Sequence, residues 1–85
     1  MKNHRMFIVK YHGATNAMGA RFSVTDTRFK KRVIKPFNYN HGQVSDMAES
    51  FLSSLGINIV GRSWNEYNGD DYIFTDDFNT QIKGK

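Results

Sequence analysis

The sequence predicts an α+β fold: one small antiparallel sheet, in the order β-β-β-α-β-β, with one amphipathic helix packed on one face. Three observations predict it. Several short stretches alternate apolar and polar residues with the period of two that a half-buried strand requires. One stretch instead repeats apolar residues at helical spacing: Val44, Met47, Ala48, Phe51, Leu52 and Leu55 fall at i, i+3, i+4, i+7, i+8 and i+11. The 85 residues are enough for one core and too few for two, so the whole chain reads as a single domain.

Taken in order, Arg5 to Tyr11 reads as the first strand, with Phe7, Val9 and Tyr11 on one face and Met6, Ile8 and Lys10 on the other. His12 to Gly19 is a loop of small residues framed by two glycines. Ala20 to Asp26 is the second strand, with Ala20, Phe22 and Val24 inward and Arg21, Ser23 and Thr25 outward. Thr25 to Lys30 connects it to a third, Lys30 to Phe37, which Pro36 marks as ending there or lying at an edge, because proline has no amide hydrogen to donate. The helix spans about 43–55 and carries Asp46 and Glu49 in its first turns, where its dipole favours negative charge. Gly56 is its expected left-handed stop, with Ile57 placed to touch Leu52. Two strands close the chain, Ile57 to Ser63 and Asp71 to Thr75, around Asn68-Gly69, a hairpin-turn dipeptide. The core is expected over about 5–78, with 79–85 as a polar, frayed tail. Strand order is not legible at this level.

Composition narrows the function classes. No cysteine is present, which excludes disulfides, thiolate metal sites and a cysteine nucleophile, and agrees with a cytoplasmic protein. Only Met6 to Val9 form an apolar run near the start, too short for a signal peptide or a membrane span. The histidines, His4, His12 and His41, have no metal-ligand spacing and read as exposed or loop residues. Asp70-Asp71 and Asp76-Asp77 are adjacent carboxylates, but neighbours on a strand point to opposite faces, so each pair splits. They read as solvated strand ends, with a metal or hydrolytic role as the weakest alternative. No nucleotide-binding, nucleophile-elbow or cofactor motif occurs, and the expectation is a protein that binds rather than an enzyme, with no cofactor and no metal.

Charge carries the binding signal. Residues 1–42 hold nine Lys/Arg against one acid, whereas residues 43–85 hold three against seven. Arg28, Lys30, Lys31, Arg32 and Lys35 crowd one short stretch, and Lys2, Arg5, Lys10 and Arg21 are expected to share the same sheet. Alternation sends Lys30 and Arg32 to one face and Lys31 and Lys35 to the other, so part of the cluster stands on the face the helix leaves open. Phe29, Phe37 and Tyr39 interleave with these cations. Cations for phosphates beside rings for bases suit single-stranded nucleic acid or a nucleoprotein. The bland alternative is an edge strand kept soluble by lysines, with core aromatics. Expected anion-binding residues are therefore Arg21, Arg28, Lys30, Lys31, Arg32 and Lys35, with Tyr39 for stacking. A second candidate is the hairpin, where Trp64 and Tyr67 are residue types that dominate protein interfaces. A third is the polar loop at Thr15 and Asn16, whose glycine neighbours permit close approach of another chain.

Thr15-Asn16-Ala17-Met18-Gly19-Ala20-Arg21, then Thr25-Asp26, Lys31 and Pro36-Phe37-Asn38-Tyr39, resembles a pattern in small accessory proteins of phages, plasmids and conjugative elements. The resemblance spans most of residues 6–75 and implies a mobile-element accessory protein, without implying an activity. Two modes follow: binding nucleic acid or a nucleic-acid-processing complex, or inhibiting a host protein through the aromatic hairpin. Oligomeric state stays open, because the basic and acidic halves can pair within one molecule or between copies.

Overall fold

The computed structural model describes residues 3–13, 19–37 and 43–82. Its strands are β1 (Arg5–His12), β2 (Arg21–Asp26), β3 (Lys31–Pro36), β4 (Ile59–Trp64) and β5 (Asp71–Thr75), with helix α1 (Val44–Ser54) between β3 and β4. All pairings are antiparallel, in a single sheet of order β3-β2-β1-β5-β4. β3 and β4 follow one another in sequence yet form opposite edges, so the chain between them must cross the sheet. α1 is part of that crossing and lies over β1, β5 and β4. The expected α+β layout is the observed one.

Register decides which side chains meet the helix, because residues directly opposite in an antiparallel pair share a face. Val9 stands against Val24 on one side and Asp71 on the other, Phe7 against Ile73, and Val24 against Val33. Phe7, Val9, Val24, Val33 and Ile73 are all buried in one cluster with Met47, Ala48 and Leu52, and Val44, Phe51 and Leu55 pack against it. The helix ends as its sequence requires. Gly56 adopts φ +85°, its N–H reaches the Ser53 carbonyl at 3.0 Å, and the Ile57 N–H reaches the Leu52 carbonyl at 3.2 Å. That left-handed turn drops Ile57 into the core, so β4 starts at Ile59, two residues later than its apolar pattern suggests.

Two local expectations need correction. The final hairpin is not a two-residue turn at Asn68-Gly69: the loop closes between Asn65 and Asp70, where the Asn65 N–H donates to the Asp70 carbonyl at 2.9 Å. The Asn65 and Asn68 side chains accept the N–H groups of Tyr67 and Asp70, so both asparagines organise the loop and only Gly69 takes positive φ. The expected frayed tail at 79–85 is also revised over residues 79–82, since Ile82 is buried in the core cluster and Asp77 accepts the N–H groups of Asn79 and Thr80; residues 83–85 lie outside the described residues. Arg5, which shares the sheet as expected, is withdrawn from solvent. Both it and Asp26 are buried, paired at 2.5 Å, and the Arg5 guanidinium lies over the Phe7 ring at 4.6 Å and the Phe29 ring at 5.2 Å. Asp26 Oδ1 also accepts from the Arg28 N–H at 2.9 Å, which ties the β2–β3 turn to this pair.

Candidate functional site

The face opposite α1 carries the even-numbered residues of β1: Met6, Ile8, Lys10 and His12. Its neighbours follow from register. Ile8 stands between Tyr72 and Thr25, and Thr25 faces Arg32. Lys10 faces Ser23, and Ser23 faces Ile34; His12 faces Arg21, and Arg21 faces Pro36. Met6 faces Phe74. One part of this open face is therefore apolar and aromatic (Met6, Ile8, Tyr72, Phe74), and the other is cationic (Lys10, Arg21, Arg32, with His12 among them). The four apolar side chains are half-buried, and the Tyr72 hydroxyl accepts from the Asn65 amide at 3.4 Å.

In the cationic part, Ser23 is fully buried although it points away from the helix. Its hydroxyl meets the His12 Nε2 at 3.1 Å, and the Arg32 guanidinium meets the same nitrogen at 3.4 Å. A guanidinium can only donate, so in this contact the nitrogen is the acceptor, a role that suits a neutral imidazole protonated on Nδ1. Burial, first, and then the charges of Arg32, Arg21 and Lys10 push the His12 pKa below the ordinary histidine value. Lys10 is ion-paired with Asp70 at 3.1 Å. Arg21 and Arg32 pair with no acid among the described residues, and the Nη1 of Arg21 is buried without a hydrogen-bond partner.

The other expected cations go elsewhere. Arg28 lies in the β2–β3 turn, where its guanidinium donates to the Phe78 carbonyl at 2.7 Å and lies over the Phe29 and Phe78 rings. Lys30 sits in the same turn with φ +56°, exposed. Lys31 and Lys35 are on the helix side of β3, and Lys35 rests over the Phe51 ring at 4.7 Å. Only Arg21 and Arg32 of the expected set face the open side together. Tyr39, Thr15 and Asn16 lie outside the described residues.

Sequence reasoning missed His12, read as a loop residue, and the pair Tyr72 and Phe74. The signal was present: β1 alternation carried one step further puts His12 beside Lys10, and the same alternation in β5 sets Tyr72 and Phe74 opposite the buried Ile73. The hairpin is as exposed as an interface requires, with Trp64 59% and Tyr67 101% accessible. Trp64 lines a cleft of about 440 Å³ with Gln43, Ser45, Arg62, Ser63 and Asp71. Arg62 is held there by Asp46 at 2.8 Å and Glu49 at 3.2 Å, while burial pushes the Asp71 carboxyl up against the opposing pull of Arg62. Among the described residues no group of three or more His, Asp or Glu side chains converges as metal ligands would, and no helix is long and apolar enough to cross a membrane. No family model, curated protein or solved structure matches this chain.

Proposed function

We propose that this chain is a stoichiometric, non-enzymatic binder of single-stranded nucleic acid, or of a nucleic-acid-processing complex, through the open face of its sheet. The observation that carries the reading is the division of that face. Arg21 and Arg32, unpaired with acids among the described residues, share that face with Ile8, Tyr72, Phe74 and Met6, and Thr25 and Ile8 stand in register between Arg32 and Tyr72. Phosphates are met by the cations, and bases stack on the rings, each stacked base contributing about 1–3 kcal/mol by alanine substitution. The accessory role in a mobile element belongs to the same proposal: occupancy of the face blocks or recruits, in the cytoplasm, without chemistry.

Fluorescence anisotropy with a labelled single-stranded oligonucleotide tests this. Tyr72→Leu keeps an apolar filler but removes the ring, and is expected to weaken binding roughly tenfold. Binding that is undiminished in Tyr72→Leu and in an Arg21→Gln/Arg32→Gln variant would rule out the open face as the contact. The exposure of Trp64 and Tyr67 favours a second reading, inhibition of a host protein through the hairpin. A nuclease-treated pull-down separates the two: retention of one protein, lost in Trp64→Ala, supports the hairpin.

A further inference from the structure

A guanidinium offers five N–H donors in a planar fork, and a buried donor left without an acceptor destabilises the fold. Among the described residues, Nη1 of Arg21 is such a donor. Arg21 lines a depression of about 290 Å³ at the end of β3, with Gly19, Ala20, Ile34, Lys35 and Pro36. Across the strand pair stands His12, whose Nε2 holds the Ser23 hydroxyl and the Arg32 guanidinium. Among the described residues the charged groups facing His12 are Lys10 from β1, Arg21 from β2 and Arg32 from β3, all positive; Asp70, beyond β1, is held by Lys10. This set of side chains lacks an anion.

We propose that Arg21, His12 and Arg32 form a binding site for one phosphate group, and that filling it is coupled to protonation of His12. The inference rests on reading the open face as a nucleic-acid surface, and it names the point where a phosphate is held specifically. A phosphate oxygen accepts from the Arg21 guanidinium as its orphan Nη1 turns outward, and its charge offsets the cations that, after burial, disfavour a protonated imidazole. His12 then takes a proton on Nε2. That nitrogen stops accepting, so the Arg32 guanidinium is released and turns to the phosphate. By linkage, the protonation that phosphate promotes must tighten phosphate binding by the same factor.

The test follows the His12 imidazole signals by NMR against pH in chloride buffer, alone, with inorganic phosphate, and with a thymidine dinucleotide that carries one phosphodiester. His4, paired with Asp76 beyond the other end of β1, is the internal reference. Saturating probe is expected to raise the His12 midpoint by about half a unit, roughly threefold tighter proton binding, and to leave His4 in place. In Arg21→Gln the difference between probe and no probe disappears; in Arg21→Lys, which keeps the charge and loses the fork, it shrinks. A response to the dinucleotide assigns the site to a nucleic-acid backbone, and a response to inorganic phosphate alone assigns it to a free phosphate. A His12 midpoint that neither probe moves, or that moves equally in Arg21→Gln, overturns the site. If an oligonucleotide binds without moving His12, the phosphate site is wrong and the open-face reading survives. If inorganic phosphate moves His12 while no oligonucleotide binds, the reverse holds.

Discussion

Individual residues show two ways in which this protein disposes of its cations. Arg5 and Asp26 neutralise each other out of water, and the desolvation of two ions offsets most of their attraction. Removing one partner strands the other, so Asp26→Asn is expected to cost about 3–5 kcal/mol in chemical denaturation, and also to loosen the β2–β3 turn that Asp26 caps. Lys30 is the opposite case. It carries left-handed backbone with no stabilising partner among the described residues, and Lys30→Gly is expected to raise stability by roughly 0.5 kcal/mol while leaving oligonucleotide binding unchanged. His12 adds a pH dependence with a definite sign. Folding lowers its pKa, so the unfolded chain takes the proton more readily. Its contribution to stability is complete above about pH 6.5 and declines as pH falls below that value, a slope that denaturant midpoints measured in Arg32→Gln are expected to reduce.

Elements were legible in the sequence to the extent that local chemistry decides them. The helix stripe, its glycine stop and the alternation of β1, β2 and β5 all rest on contacts between near neighbours, and each is where its pattern put it. Gly56 has open space around a Cβ but a left-handed backbone, so Gly56→Ala is expected to cost about 1 kcal/mol from strain alone, read as a lower thermal midpoint. What was illegible depended on distant partners. Strand order follows from a crossing that no local pattern encodes. The Arg5–Asp26 pair spans two strands, and nothing near either residue in sequence announces the other. The tail looked polar because its one core residue, Ile82, stands alone among hydrophilic neighbours. Ile82→Ala is therefore expected to cost about 2–4 kcal/mol, as a buried large-to-small change does.

At the scale of the molecule, the fold redistributes the charge segregation of the sequence. Pairing basic β1 with β5 of the acidic half joins Lys10 to Asp70 and brings Arg5 to Asp77, so these cations meet acids of the same chain. The crowded stretch from Arg28 to Lys35 is divided between a turn, the helix side and the open face. Arg21 and Arg32 of the expected set remain together, and Lys10 and His12 join them because β1 is the central strand. The candidate site is thus smaller than the sequence implied and partly built from residues that sequence reasoning passed over.

The salt dependence of single-stranded oligonucleotide binding tests the open-face account most directly. Each phosphate neutralised contributes about −0.7 to the slope of log affinity against log salt, so Arg21→Gln/Arg32→Gln is expected to flatten the slope by about 1.4. Lys31→Gln/Lys35→Gln, on the helix side, is expected to leave it unchanged. A slope untouched by the first pair and flattened by the second would contradict the account.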